Sequence, residues 1–309
     1  MIQIKTSMVQ TKNDLAKRRR AQTLLTAILF LIPAFIFLFL FIAYPITDTF
    51  VLSTYKWNGI DPQKAFVGFE NWKKLLGDLK FIGAFRNNIL VMILSISIQL
   101  PIGMVLAVLL DMGGRKLNFL KVTYFLPMLM SSIAIGFLFK YTYDPQFGLI
   151  SVVSRLFGGK AMVDILGNPK IALFAVILVI CWQFVPFYMV YFLAGLTSIS
   201  EEIYEAAIID GATRNQYFWR IALPMMRGSI KTACILSMVG SLKYFDLIYV
   251  MTEGGPNGAT ELMATYMYKS AFVSMNMGYG SAIAAGMFLI ITTISLLTMT
   301  LMNRKETEV

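Results

Sequence analysis

Carboxylates are the residues most suited to chemistry in this sequence, and four of them gather in one short segment: Glu201, Glu202, Glu205 and Asp210. Neighbouring acids can share general acid and base work. At this spacing, however, three of them occupy one arc of a helix and are explained more simply as helix-start charges and a docking face. There is no histidine in the 309 residues, so Ser/His/Asp triads and the commonest metal ligand are excluded. Cys181 and Cys234 each sit inside an apolar run, which reads as two buried small hydrophobes rather than a disulfide or a metal pair. The nearest approach to a phosphate loop, Gly158-Gly159-Lys160, is followed by Ala161 and lacks the upstream glycine, so no nucleotide cradle is expected. What remains is polar and aromatic. Trp182, Gln183 and Phe187 fall near the middle of one apolar run, with Gln183 and Phe187 on one helical face. Ser237, Gly240, Ser241 and Tyr244 form a comparable stripe in the next run, close to the ionisable Lys243 and Asp246.

The elements that position these groups follow from composition. The chain is 57% hydrophobic and 14% charged, with a mean hydropathy of +0.68, whereas soluble domains carry about 25% charged residues. Six stretches reach the roughly 20 residues that a helix needs to cross a bilayer: 24–44, 89–110, 119–139, 171–193, 229–250 and 282–302. The reading is an all-α integral membrane protein with a basic tail over 1–22, one six-span domain over 23–303 and a short tail over 304–309. The first apolar run follows Lys17, Arg18, Arg19 and Arg20 and exceeds the 7 to 15 residues of a signal peptide, so it is expected to stay as an anchor. That basic cluster, with the larger share of Lys and Arg lying on the same side, places both termini in the cytoplasm by the positive-inside tendency. The net charge of +10 then reflects topology and not nucleic-acid binding.

The segment between the fourth and fifth spans reads as a hairpin of two short helices. Ser198 with Glu201 matches a capping box, Gly211 suits the left-handed residue beyond a helix end, and Thr213 with Gln216 opens a second box. The second helix is expected to run to about Leu223, where Pro224 lacks an N–H. Ile203, Tyr204, Ala207 and Ile208 form one apolar stripe of the first helix, while Glu201, Glu202 and Glu205 occupy another arc.

Within this hairpin, Glu205-Ala206-Ala207, Asp210-Gly211-Ala212 and Ile221-Ala222-Leu223-Pro224 resemble the EAA loop of ATP-binding-cassette importer permeases. Trp57-Asn58-Gly59, the 66–72 stretch and the run from Phe245 to Gly254-Gly255-Pro256 resemble carbohydrate-uptake permeases of the maltose type. The resemblance implies a type I importer permease with a cytoplasmic coupling hairpin over 197–226, in which Glu205, Ala206, Ala207, Asp210, Gly211, Leu223 and Pro224 meet the ATPase. It implies a second, homologous permease, two copies of a cytoplasmic ATPase that carry the ATP and Mg, and an extracytoplasmic sugar-binding protein. This subunit itself would hold no cofactor or metal, do no catalysis, and sit in the cell membrane. Matched on Trp182, Pro186 and the Gly-Gly-Pro at 254–256, the family's sugar contacts fall at Gln183, Phe184, Phe187, Ser237, Gly240, Ser241 and Tyr244. Gly240 replaces a stacking aromatic, which leaves open whether this subunit grips the cargo or lines a path. The chain lacks the extra amino-terminal spans and large external insert of the maltose prototype.

Lys243 and Asp246, at i and i+3, read first as an ion pair in the outer half of the fifth span, with a lysine that meets an acidic sugar as the alternative. Trp57, Trp72, Tyr143 and Tyr279 suit either a docking surface or an interfacial aromatic belt. An ion-coupled secondary transporter is the competing function, but it calls for acidic or polar groups within several spans. A membrane-embedded enzyme is weaker still, since the hairpin acids are its only candidates.

Overall fold

Backbone polar groups in lipid must find partners within their own segment, so an apolar chain of this length folds into helices. The computed structural model describes residues 22–23, 26–113, 118–158 and 164–303. The basic cluster at 17–20, Arg115 and Lys116, the Gly159-Lys160-Ala161 step and the tail at 304–309 lie outside the described residues.

Four helices are long and apolar enough to cross a membrane: Thr26–Leu52, Leu79–Gly113, Ala172–Thr197 and Met277–Met302. Two bent pairs, Lys121–Leu129 with Ser132–Thr142 and Arg227–Leu242 with Asp246–Thr252, bring the number to six if each pair is one crossing. They fall where the six apolar runs lie, although the second begins ten residues earlier than its run and the first extends to Leu52. The third span turns by 95° at Ser131, whose backbone is extended, a turn of helix beyond Pro127. A serine pair after a proline is a common site of sharp bends.

The fifth turns by 41°, and its break corrects the expectation for Lys243 and Asp246. One helix ends at Leu242 and the next starts at Asp246, so the two residues do not share a helical face. Both are exposed, and among the described residues the salt bridge is Lys269 with Glu261, at 2.6 Å. Asp246 instead sits in the first turn of its helix, where the dipole favours an acid.

The fourth span is the axis of the bundle. Of its most apolar window 67% is buried, against 28% for the second and sixth spans and none of the first. The second span packs on it through a buried stripe that includes Val91, Gln99, Gly103 and Ala107, recurring every three or four residues. Gly103 makes the approach close: a Cβ there would stand 2.8 Å from Tyr188 Cβ.

At the end opposite the 197–226 hairpin, Tyr55–Lys56 and Ala65–Phe66 form a small antiparallel ribbon. The four loop aromatics read as a docking surface or an interfacial belt are not uniformly exposed. Tyr143 and Tyr279 are buried, Trp72 Nε1 donates to Ser53 Oγ at 2.9 Å, and half-buried Trp57 lies under Lys64 Nζ, 4.1 Å from the ring centre. Tyr143, Tyr279 and Trp72 pack into the bundle, while Trp57 holds its own loop, its Nε1 donating to the Asp61 carbonyl at 2.8 Å.

Candidate functional site

The bend in the fifth span opens a cavity of about 190 Å³ beside the fourth span, and its walls come from four helices. Phe184 and Phe187 line it from the fourth span, and Ser237, Gly240, Ser241 and Tyr244 from the fifth. Six of the seven positions carried over as cargo contacts therefore meet in one place. Gly240 leaves open space, with no atom within 4 Å of where a Cβ would stand. Phe184 and Tyr244 stack edge to face, 6.0 Å between ring centres.

Gln183, the seventh, is buried behind the wall. Its Nε2 donates to Ser132 Oγ at 3.1 Å, and its Oε1 accepts from the Tyr244 hydroxyl at 3.5 Å. It ties the bend of the third span to the ring at the bend of the fifth, a positioning role rather than a lining one.

Two amides of the second span were not singled out in the sequence. Gln99 lines the cavity and is 3% exposed. Asn88, fully buried, donates to the carbonyls of Ser241 and Leu242 at 3.0 and 3.1 Å and accepts from the Met263 N–H at 2.8 Å. A helix that stops inside the bundle leaves carbonyls without partners, and Asn88 supplies them. For Gln99 the signal available in the sequence was an isolated amide in an otherwise apolar run, which is costly unless it has a specific role; Asn88, beside Arg86 and Asn87 just before that run, carried no such signal.

At the opposite end of the bundle the hairpin has the expected bend with different caps. Its first helix, Glu201–Ile209, starts after Ser200 with no side-chain cap; the expected box of Ser198 with Glu201 does not form, as the Ser198 hydroxyl turns back to the Gly195 carbonyl at 2.7 Å. It ends in a Schellman motif: Gly211 has φ +80°, its N–H donates to Ile208, and the Ala212 N–H donates to Ala207. The Thr213 and Gln216 box is formed in both directions. The second helix, Arg214–Tyr217, does not stop at Leu223. It widens into a π turn, Phe218–Ala222, in which the Leu223 N–H reaches back five residues to Phe218, and this lets the helix continue past Pro224.

Glu205, Ala206, Ile208, Ile209, Asp210 and Gly211 are exposed on the hairpin tip, while Ala207 is buried. Ile208 therefore faces outward and not into the packed stripe, and Ile209 is 85% exposed. Leu223 and Pro224 are half-buried at the root. Tyr204 and Tyr217 meet edge to face with ring centres 5.0 Å apart and hold the two arms together.

A larger concavity of about 840 Å³ opens at the far end, lined in part by Lys74, Lys80, Lys269 and Glu261. On its edge Tyr266 and Tyr279 both donate to the Asp78 carboxylate. Burial pushes Asp78 up, but these bonds and the backbone N–H groups of Lys80 and Phe81 outweigh it and hold the carboxyl below its usual range. Burial and the bond to Asp78 push Tyr266 up to about 12. Among the described residues no cluster of three or more His, Cys, Asp or Glu is placed to hold a metal ion.

Residues 99–307 match the family described as binding-protein-dependent transport system inner membrane component. The chain is similar to a probable ABC transporter permease of Bacillus subtilis, YurN, at 36% identity over 88% of this chain and 94% of that one. It is also similar to the multiple sugar-binding transport system permease MsmF of Streptococcus mutans, at 33% identity over 90% and 95%. A bacterial ABC transporter that imports the acidic polysaccharide alginate has a chain of the same fold, with a TM-score of 0.77, 25% identity, and coverage of 94% of this chain and 98% of that one.

Proposed function

We infer the function from one premise: the chain belongs to the binding-protein-dependent transport system inner membrane components. It is a multi-pass permease subunit of an ATP-driven sugar importer, a transport subunit and not an enzyme. Our reading of its parts is that the cavity between the fourth and fifth spans takes a sugar unit on its way across. A pyranose carries hydroxyls at its rim and C–H groups on its faces, and the cavity offers Ser237 and Ser241 beside Phe184, Phe187 and Tyr244. Its 190 Å³ falls below the 300–1,000 Å³ or so of a complete small-molecule site, which fits one half of a passage that a second permease completes.

The hairpin is the coupling element. Its exposed face, with Glu205, Ala206, Asp210 and the outward isoleucines, suits insertion into a cleft of a cytoplasmic ATPase. The bend at Gly211 transmits the movement of that ATPase, two copies of which hold the ATP and Mg. Both termini are then cytoplasmic, and the basic concavity around Lys74 and Lys80 faces outward, where a sugar-binding protein delivers cargo.

The observation that carries this reading is that six of the seven positions carried over from the family resemblance, drawn from two separate apolar runs, line one cavity. Its test is ATP-dependent uptake into proteoliposomes holding the permeases, the ATPase and the binding protein, with a panel of neutral and uronate disaccharides. Uphill uptake by this chain alone, driven by an ion gradient without nucleotide, would return the ion-coupled alternative. The exposed position of Asp246, the acid deepest in a run, speaks against that alternative.

A further inference from the structure

Asn88 and Gln99 lie on the same buried face of the second span, yet their amides are used very differently. The Asn88 side chain makes three bonds of 2.8 to 3.1 Å to backbone groups, as a clamp between helices does. The Gln99 amide has two donor hydrogens and two lone pairs. It gives one hydrogen to Cys181 Sγ at 3.8 Å and takes one from Ser237 Oγ at 3.4 Å. A thiol sulfur is a weak acceptor, and the second bond is at the long limit of the range. One turn earlier on the same face, Ser95 Oγ is buried with no hydrogen-bond partner. An amide left this weakly satisfied at 3% exposure, in an apolar helix, is costly. It is also on the cavity wall.

We propose that Gln99 is a specificity-determining residue of the cargo passage, whose amide hydrogen-bonds a hydroxyl of the sugar. This rests on the sugar reading of the cavity and extends it to a helix outside the expected contacts. A hydroxyl both donates and accepts, which matches the free capacity of the amide. The Ser237 proton directed at Gln99 leaves the lone pairs of that hydroxyl for cargo. Packing on both sides keeps the amide in position, since the backbone contact at Gly103, one turn on, fixes the second span against Tyr188, and Asn88 fixes it against the fifth. Selectivity follows because a site built to bond a hydroxyl is left with an unpaired amide when an analogue lacks it.

The experiment uses the whole importer in proteoliposomes, the panel disaccharide that best stimulates its ATPase, and the monodeoxy forms of that sugar. Gln99→Met, nearly isosteric, keeps the packing. The expected result is that the wild type loses roughly tenfold in uptake on removal of one hydroxyl. Gln99→Met loses a similar factor on the parent sugar and is indifferent to that deletion. Its melting temperature stays at the wild-type value, so the loss is not one of folding. An equal loss on every deoxy form, or no loss on the parent sugar, overturns the proposal while leaving the sugar reading in place. A wild type that no sugar of the panel stimulates removes that reading and this one with it.

Discussion

Gly211 is the point at which mechanical coupling depends on backbone conformation alone. Its φ is +80°, and nothing stands within 4 Å of a Cβ built there, so a side chain meets no steric barrier and only the left-handed conformation resists it. An ordinary L-residue costs about 1–2 kcal/mol in that region, a β-branched one lies at the upper end or beyond, and asparagine is tolerated well. If the Schellman bonds at Ile208 and Ala207 give way, the bend opens. The series Gly211→Asn, Gly211→Ala and Gly211→Val should therefore be graded: close to wild type, then roughly fivefold, then thirtyfold or more in the ratio of bent to open hairpin. Because the residue is exposed and outside every apolar run, the amount of protein in the membrane should not change. The assay is sugar-stimulated ATP hydrolysis by the reconstituted importer, with membrane content measured by immunoblot. Gly211→Val with normal stimulation would refute the reasoning, as would Gly211→Asn failing as badly as Gly211→Val, since that pattern points to a lost surface contact and not to φ.

Glu205→Lys reverses an exposed charge on the tip and is expected to abolish stimulated hydrolysis while leaving insertion intact; co-purification of the ATPase reports the lost contact. Gly240→Leu projects a side chain into the open part of the cavity and should lower uptake by about tenfold or more with little change in melting temperature. Asp78 contributes to stability in one direction of pH only. Its carboxyl is held below the unfolded value of about 3.9, so its contribution is present above that pH and is lost as the pH falls through the folded value. Thermal melts from pH 7 to 3 should show acid loosening in the wild type that Asp78→Asn, already without the charge, does not add to.

Much of the hairpin could be read in advance, because its determinants are local. A glycine that takes positive φ, a threonine three residues before a glutamine and a proline without an N–H act through backbone rules that hold wherever the segment lies. The errors were local competitions of another kind: Ser198 prefers its own helix's carbonyl at Gly195, and a π turn absorbs Pro224. The cavity was half legible. Residues on one helical face could be grouped by period, but period says nothing of which neighbouring helix stands opposite, so Gln99 went unseen and Gln183 was assigned to a wall it supports from behind.

Sequence alone determined the solvent of this protein and the number of apolar runs, since hydropathy sums over residues and needs no knowledge of contacts. It also determined the bend at Gly211, whose cause lies within a few bonds. Tertiary structure decided where the fifth run breaks, that Lys243 and Asp246 part company there, and that Asn88 caps the broken end. Each of these depends on a group distant in the chain supplying or withholding a hydrogen bond, and such partners are chosen only when the helices pack.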